Sequence, residues 1–163
     1  MEKIVHTFEP LYNEFTEILI LGSFPSVKSR EYNFYYMNPQ NRFYKVLGDI
    51  LDIDLYESSI ENKKQILLKN KIGIYDVIKA CVITGSSDAS ISEVEVSDIN
   101  DIIKNSKVNK ICLNGTLAYS LFVKYFPQYI KISYKLPSTS PANARYRLDD
   151  LIKQWSKIIK KID

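Results

Sequence analysis

The sequence predicts an α/β protein, a three-layer α/β/α sandwich around a central, mostly parallel four-stranded sheet. Three observations carry that expectation. Short apolar runs alternate along the chain with segments whose apolar residues recur at three- and four-residue spacing, the rhythm of strands and amphipathic helices in turn. The run Glu17–Gly22 is apolar from Ile18 to Leu21, as a strand covered on both faces is. The length, 163 residues, suits a single domain spanning residues 1–163, large enough to bury a real core.

Taken in order, Glu17–Gly22 (EILILG) is an apolar run ending in Gly, which suits a buried central strand feeding a loop. In Asn41–Leu51, Phe43, Val46, Leu47, Ile50 and Leu51 share one helical face, and Ser59–Asn70 reads as a second helix. Lys71–Ile78 (KIGIYDVI) returns as a strand, Asp98–Asn105 as a short helix, and Lys110–Leu113 (KICL) as a strand that stops at Asn114-Gly115. Thr116–Tyr125 has helical spacing, Tyr129–Tyr134 (YIKISY) is β-branched and aromatic like a strand, and Leu148–Ile162 is an amphipathic closing helix. There are no repeats and no low-complexity tract.

Composition removes several classes of function. Apolar residues are 45% and charged residues 25% of the chain, which excludes disorder. Cys81 and Cys112 are far apart and form no CxxC pair, so a zinc ribbon, an iron–sulfur cluster and a disulfide scaffold are excluded and a reducing compartment is expected. The one histidine, His6, lies outside any catalytic-looking context, which excludes a Ser-His-Asp triad, an HExxH site and a His-rich metal site. No apolar run is long enough to span a bilayer, and Met1–Phe8 lacks the apolar core of a signal peptide. A net charge of +3 permits a polyanionic partner without demanding one.

In an open parallel sheet, ligands bind at the loops beyond the carboxyl ends of the strands. Two of those loops are unusual. Gly22–Gln40 brings serines, Lys28, Arg30 and the consecutive aromatics Phe34, Tyr35 and Tyr36 directly beyond a buried strand. These rings suit either a lid packed over the sheet edge or a stacking platform for a planar base. The other, LPSTSPANAR at Leu136–Arg145, reads either as an ordinary turn into a helix or as a stiff hydroxyl-bearing loop. In the second reading Ser138, Thr139 and Ser140 contact phosphates and Pro141, Ala142 and Asn143 form a wedge.

Gly22–Gly48 (GSFPSVKSREYNFYYMNPQNRFYKVLG) resembles the first motif region of the uracil-DNA glycosylase superfamily, with its Gly-x-x-Pro turn, aromatic stretch and Pro-x-Asn-x-Phe-aromatic run. LPSTSPANAR resembles the superfamily's second, DNA-intercalating motif, and Asn114-Gly115 with Ala118 its strand-end Gly and downstream Ala. The resemblance is closest to the hypoxanthine-DNA glycosylase branch, called family 6, with similarity to the mismatch-specific branch. Most of the superfamily places an Asn or Asp before the first Pro to position the hydrolytic water, whereas this chain has Phe24. The hypoxanthine branch also lacks that residue, and the resemblance assigns catalysis to Asn41, whose plain alternative is a cap on a helix starting at Arg42.

The resemblance further implies that Gly22, Ser23, Phe24, Tyr36, Asp76 and Asn114 bind the base, with Tyr36 stacking on it and Asp76 reading its edge. Asp76 could instead cap a helix or be a solvated charge, and Asp88 either shapes the pocket or caps the next turn. Ser26, Ser138–Asn143 and Arg145 are implied as DNA contacts, with Lys28 and Arg30 as candidate phosphate contacts. Two departures are Tyr44 where relatives usually have Trp, and Asn38 where many have His. The expected function is a monofunctional glycosylase that flips a deaminated base out of damaged DNA and hydrolyses its N-glycosidic bond, hypoxanthine first and uracil next. The alternative is a nucleic-acid-binding protein that keeps the fold without the chemistry. No cofactor, metal or membrane is implied, and a cytoplasmic, nucleoid-associated monomer is expected.

Overall fold

The computed structural model describes residues 2–162; Met1 and Asp163, the two ends of the expected domain, lie outside them. Strand β1 (Ile4–Val5) is short, and β2 (Ile18–Gly22) is the central strand predicted from EILILG. Helices α1 (Val27–Tyr32), α2 (Phe43–Leu51) and α3 (Ile60–Lys69) precede β3 (Ile72–Asp76) and β4 (Ile78–Val82). Then come β5 (Ser92–Val96), α4 (Ile99–Lys104), β6 (Lys110–Asn114), α5 (Thr116–Tyr125), β7 (Ser133–Leu136) and α6 (Leu148–Trp155).

The main sheet has the order β3-β2-β6-β7, and every neighbouring pair is parallel. Alternation along β2 divides the interior. Ile20 joins Ile74 and Cys112 in a core completed by Phe43 and Leu47 of α2, Leu67 of α3 and Trp155 of α6. Leu19 and Leu21 point the other way, into a core with Ile111, Leu113, Ile102 of α4 and Phe122 of α5. Helices thus cover both faces, and the three-layer sandwich predicted from the apolar runs is the fold observed. Residues 19–21 are wholly buried, which is why the run carries no polar alternation.

Two predicted strands need correction. Lys71–Ile78 is not continuous: Val77 and Ile78 donate to the Gly22 and Ser23 carbonyls, β3 ends at Asp76, and β4 departs into a second sheet. That sheet, β1-β4-β5, is antiparallel and lies largely in the stretch between Ile78 and Asp98, where the sequence reading names no element. The period-two pattern does not distinguish one strand from two that bend apart. Tyr129–Tyr134 is mostly a 3₁₀ turn, Pro127–Ile132, and the strand starts only at Ser133. Pro127 sets the turn with its fixed φ, and Ser133 Oγ donates to the Tyr129 carbonyl to close it. The closing helix likewise ends at Trp155 rather than at Ile162.

The indole of Trp155 also ties the fold to the LPSTSPANAR loop, donating from Nε1 to the Pro137 carbonyl at 2.9 Å from a fully buried ring. Trp155→Phe keeps an aromatic filler but leaves that carbonyl without its donor. It is expected to cost about 1–3 kcal/mol in urea denaturation. Fluorine NMR on labelled loop residues should show the loop loosening.

Candidate functional site

The order β3-β2-β6-β7 places a reversal of strand order between β2 and β6, where open sheets bind ligands. A cleft of ≈ 840 Å³ opens there, and the last residue of each parallel strand lines it: Gly22, Asp76, Asn114 and Leu136. The two loops singled out in the sequence form its walls.

Gly22 sits at the floor because nothing larger fits. A Cβ at that position would lie 2.7 Å from Asp76 Oδ1 and 2.9 Å from the Tyr36 hydroxyl, so the two polar groups converge on the same strand end. The other carboxylate oxygen, Asp76 Oδ2, is 2.8 Å from His6 Nε2, and both side chains are almost wholly buried. His6 is therefore behind the site rather than outside it, which corrects the sequence reading. It is delivered by the segment after β1, where its backbone N–H donates to the Lys79 carbonyl of β4. Phe8, Phe24, Tyr35 and Tyr75 surround its ring, and Nδ1 has no hydrogen-bond partner among the described residues.

Of the three consecutive aromatics, Phe34 and Tyr35 are core residues at 2% exposure, and Tyr35 and Tyr36 both border the cleft. Tyr36 adopts a left-handed backbone, φ 56°, and its ring stacks on Phe43 at 3.9 Å and 16°. Its hydroxyl is buried and completes no well-formed hydrogen bond. Burial, with the Asp76 charge adding to it, pushes its pKa far up against the opposing pull of the nearby Asn114 amide. The phenol is held neutral, with a proton to give.

Asn41 lines the opposite wall. Its Oδ1 accepts from the Phe43 N–H at 2.9 Å, an Asx turn leading into α2. The cap position itself is Arg42, not Asn41, and Arg42 does not cap with its side chain. Instead the guanidinium reaches across to the second loop, donating to the Ser140 carbonyl at 2.7 Å, the Asn143 carbonyl at 3.1 Å, the Thr139 carbonyl at 3.4 Å and the Tyr146 carbonyl. Asn114 clamps the same loop from the sheet: its Nδ2 donates to Thr139 Oγ1 and its Oδ1 accepts from the Thr139 N–H, both at 3.0 Å.

Of the remaining expected residues, all but Lys28 and Arg30 line the cleft. Ser23 donates to Asp88 Oδ1 at 2.9 Å on the cleft wall, and burial raises the Asp88 pKa, opposed by that hydrogen bond and reinforced by Asp76. Phe24, Ser26, Ser138, Thr139, Ser140, Pro141, Ala142, Asn143 and Arg145 border it as well. Several are also held by bonds within the protein. Ser26 caps α1 through the Ser29 N–H, Thr139 is fully buried, and Ser138 and Ser140 accept from the Ser140 and Ala142 N–H groups. Asn143 Nδ2 donates to the Ser138 carbonyl. Arg30 donates to the Gly85 carbonyl, and Lys28 pairs with Glu31 at the surface.

Comparison with known proteins shows the family and the fold. Residues 9–160 match the family described as the uracil DNA glycosylase superfamily. The chain belongs to that superfamily. Among its relatives, a hypoxanthine DNA glycosylase of Methanosarcina acetivorans is 37% identical over 143 residues, covering 85% of this chain and 88% of that one. Another protein of that name, from Methanosarcina barkeri, is 34% identical over 159 residues, covering 94% and 97%. A solution NMR structure from M. acetivorans, named as a candidate uracil DNA glycosylase, superposes with a TM-score of 0.80 at 34% identity and covers 94% of each chain. Both curated relatives carry the name of the branch that the motifs resemble.

In this cleft, sequence reasoning missed His6 and Arg42. His6 gave no local signal, since its partner is 70 residues away. Arg42 had one: it stands inside the Pro-x-Asn-x-Phe run, directly after the candidate catalytic residue. Arg42→Ala removes the donors for four loop carbonyls and is expected to cost about 2–3 kcal/mol or more. Hydrogen exchange should accelerate across residues 138–146 while β2 and β6 stay protected. Unchanged exchange in that loop would show that the guanidinium does not hold it.

Proposed function

We propose that the protein is a monofunctional DNA glycosylase that excises a deaminated base from damaged DNA, hypoxanthine first and uracil next, after flipping it from the helix. The observation that carries the reading is the convergence on one cleft of Asn41, the buried carboxylate of Asp76 and the Ser-Pro loop, in a chain whose relatives are named for hypoxanthine. Breaking the N-glycosidic bond develops oxocarbenium character on the sugar and negative charge on the departing base. The site must then hold a water near the anomeric carbon and stabilise charge on the base. In this reading Asn41 holds the water. Its amide plane is fixed by the Phe43 N–H, while Nδ2 and the second lone pair of Oδ1 are left for solvent. Pro141, Ala142 and Asn143 fill the space that the flipped base leaves, and Arg145 approaches phosphates.

A second reading rests on Phe24. Its ring lies against His6 and under the Arg30 guanidinium, so an apolar group stands where many relatives orient water. A binding protein without chemistry would tolerate that.

The deciding assay uses end-labelled duplexes that each contain one hypoxanthine, xanthine or uracil, followed by alkali to cleave abasic sites. Alkali-dependent cleavage at hypoxanthine is expected, and Asn41→Ala should slow it by about 10²-fold or more with duplex affinity little changed. Binding without base release on any duplex would favour the second reading. Strand cleavage before alkali would refute the monofunctional mechanism.

A further inference from the structure

We infer that the end of the sheet opposite the cleft is a second nucleic-acid site, a surface for single-stranded DNA on which Phe15 stacks against a base and the surrounding lysines hold phosphates. The inference goes beyond the glycosylase reading and takes from it only the choice of DNA. The parallel strands deliver the cleft residues at their carboxyl ends, so the segments that precede β2 and β6 gather at the other end, about 16 Å away along the five residues of β2. Phe15 lies there, in the turn that leads into β2, with its ring 52% exposed. The turn is held from within. Asn13 Oδ1 accepts from the Phe15 N–H at 2.9 Å, the Asn13 N–H donates to Thr16 Oγ1 at 3.0 Å, and Thr16 is wholly buried. An apolar ring is thus kept in water by a fixed piece of backbone.

Positive charge collects around that ring. Lys107 brings its ammonium to 5.7 Å from the ring centroid, and its backbone N–H donates to the Thr16 carbonyl, tying the segment after α4 to the turn. Lys104 ends α4 just before it. Lys110 opens β6 with its N–H on the Glu17 carbonyl, and its Nζ donates to the Ile158 carbonyl, which draws in the tail that carries Lys157, Lys160 and Lys161. The acids nearby answer little of this charge: Glu17 is paired with Lys71 at 3.2 Å, Asp101 accepts from the Asn105 amide, and Glu14 stands beside Phe15. The cleft, by contrast, has two basic side chains among its described lining residues, Lys135 and Arg145. A cationic surface attracts a polyanion, and an exposed ring within it selects one with flat apolar faces. Unpaired DNA offers both, whereas the bases of a duplex are stacked on one another and closed to the ring. Every base has a π-face, so the site is expected to be indifferent to sequence. One molecule then holds an unpaired strand at one end of its sheet and faces a duplex with the other.

The site is tested on the full chain by fluorescence anisotropy with a short labelled oligothymidylate, which carries no deaminated base. Phe15→Ala is expected to weaken binding about ten-fold with an unchanged melting temperature, and Phe15→Trp to bind at least as tightly as the wild type. Lys104→Glu combined with Lys107→Glu should weaken it about ten-fold or more and flatten its dependence on salt. Duplex affinity should be unchanged in Phe15→Ala. Wild-type affinity for the oligothymidylate in Phe15→Ala or in the double lysine variant would overturn the inference, as would an equal loss of duplex affinity in Phe15→Ala. A Phe15-dependent affinity greater for oligouridylate RNA than for oligothymidylate would overturn the assignment to DNA.

Crosslinking separates this end from the cleft and from the catalytic reading. With photoreactive thiothymidine in the oligonucleotide, crosslinks should fall in residues 12–17 and 104–110. Crosslinks confined to residues 138–146 would place the strand in the cleft and overturn the inference. Suppose wild-type protein releases no base from any duplex, yet crosslinks at Phe15. The catalytic reading then fails and the single-strand site stands. Base release with no crosslink outside the cleft would leave the catalytic reading intact and overturn the second site.

Discussion

The site depends on β2 being paired on both sides by parallel strands. Because β3 and β6 run in register with it, Gly22, Asp76 and Asn114 arrive together at one end of the sheet. The apolar interior of β2 makes that register costly to shift, since a slip of one residue would turn Leu19 and Leu21 out of one core and Ile20 out of the other. A glycine then ends the strand, and its missing side chain becomes the room in which an acid and a phenol approach each other.

Around this rigid floor the second loop is held by contacts that its own composition does not announce. Proline and serine stiffen it, but its shape comes from elsewhere: the Arg42 guanidinium on one side, the Asn114 amide on another and the Trp155 indole beneath. Arg42 follows Asn41 directly in the chain. The residue assigned to water and the loop assigned to the helix gap are thus joined through one peptide unit, and their relative placement is set before any DNA arrives. Such preorganisation suits the base excision proposed above.

The layers and most of their elements were legible in the sequence because apolar periodicity reports burial, and burial is what the sandwich consists of. Helix α5, Thr116–Tyr125, has its predicted limits, and β2 and β6 differ from expectation by one residue each. What escaped was pairing between distant parts of the chain. The bend at Val77 depends on hydrogen bonds to the end of β2, and periodicity along β3 and β4 carries no trace of them. His6 illustrates the same limit. An isolated histidine near residues of no evident chemistry became the partner of Asp76 only through the antiparallel strand that precedes it. Lys63 is a further case, with an ammonium buried over the Tyr44 ring and bound to the Tyr56 carbonyl, which the helical reading of Ser59–Asn70 does not announce.

Trp155 is the one tryptophan in the chain, and its indole N–H is spent on the loop that lines the cleft. Indole emission shifts with the polarity and hydrogen bonding around Nε1, so the protein carries an intrinsic optical reporter on the loop carbonyl itself. Any event that lifts Pro137 from the ring is readable without a label, from a single emitter, and free of background from a second one.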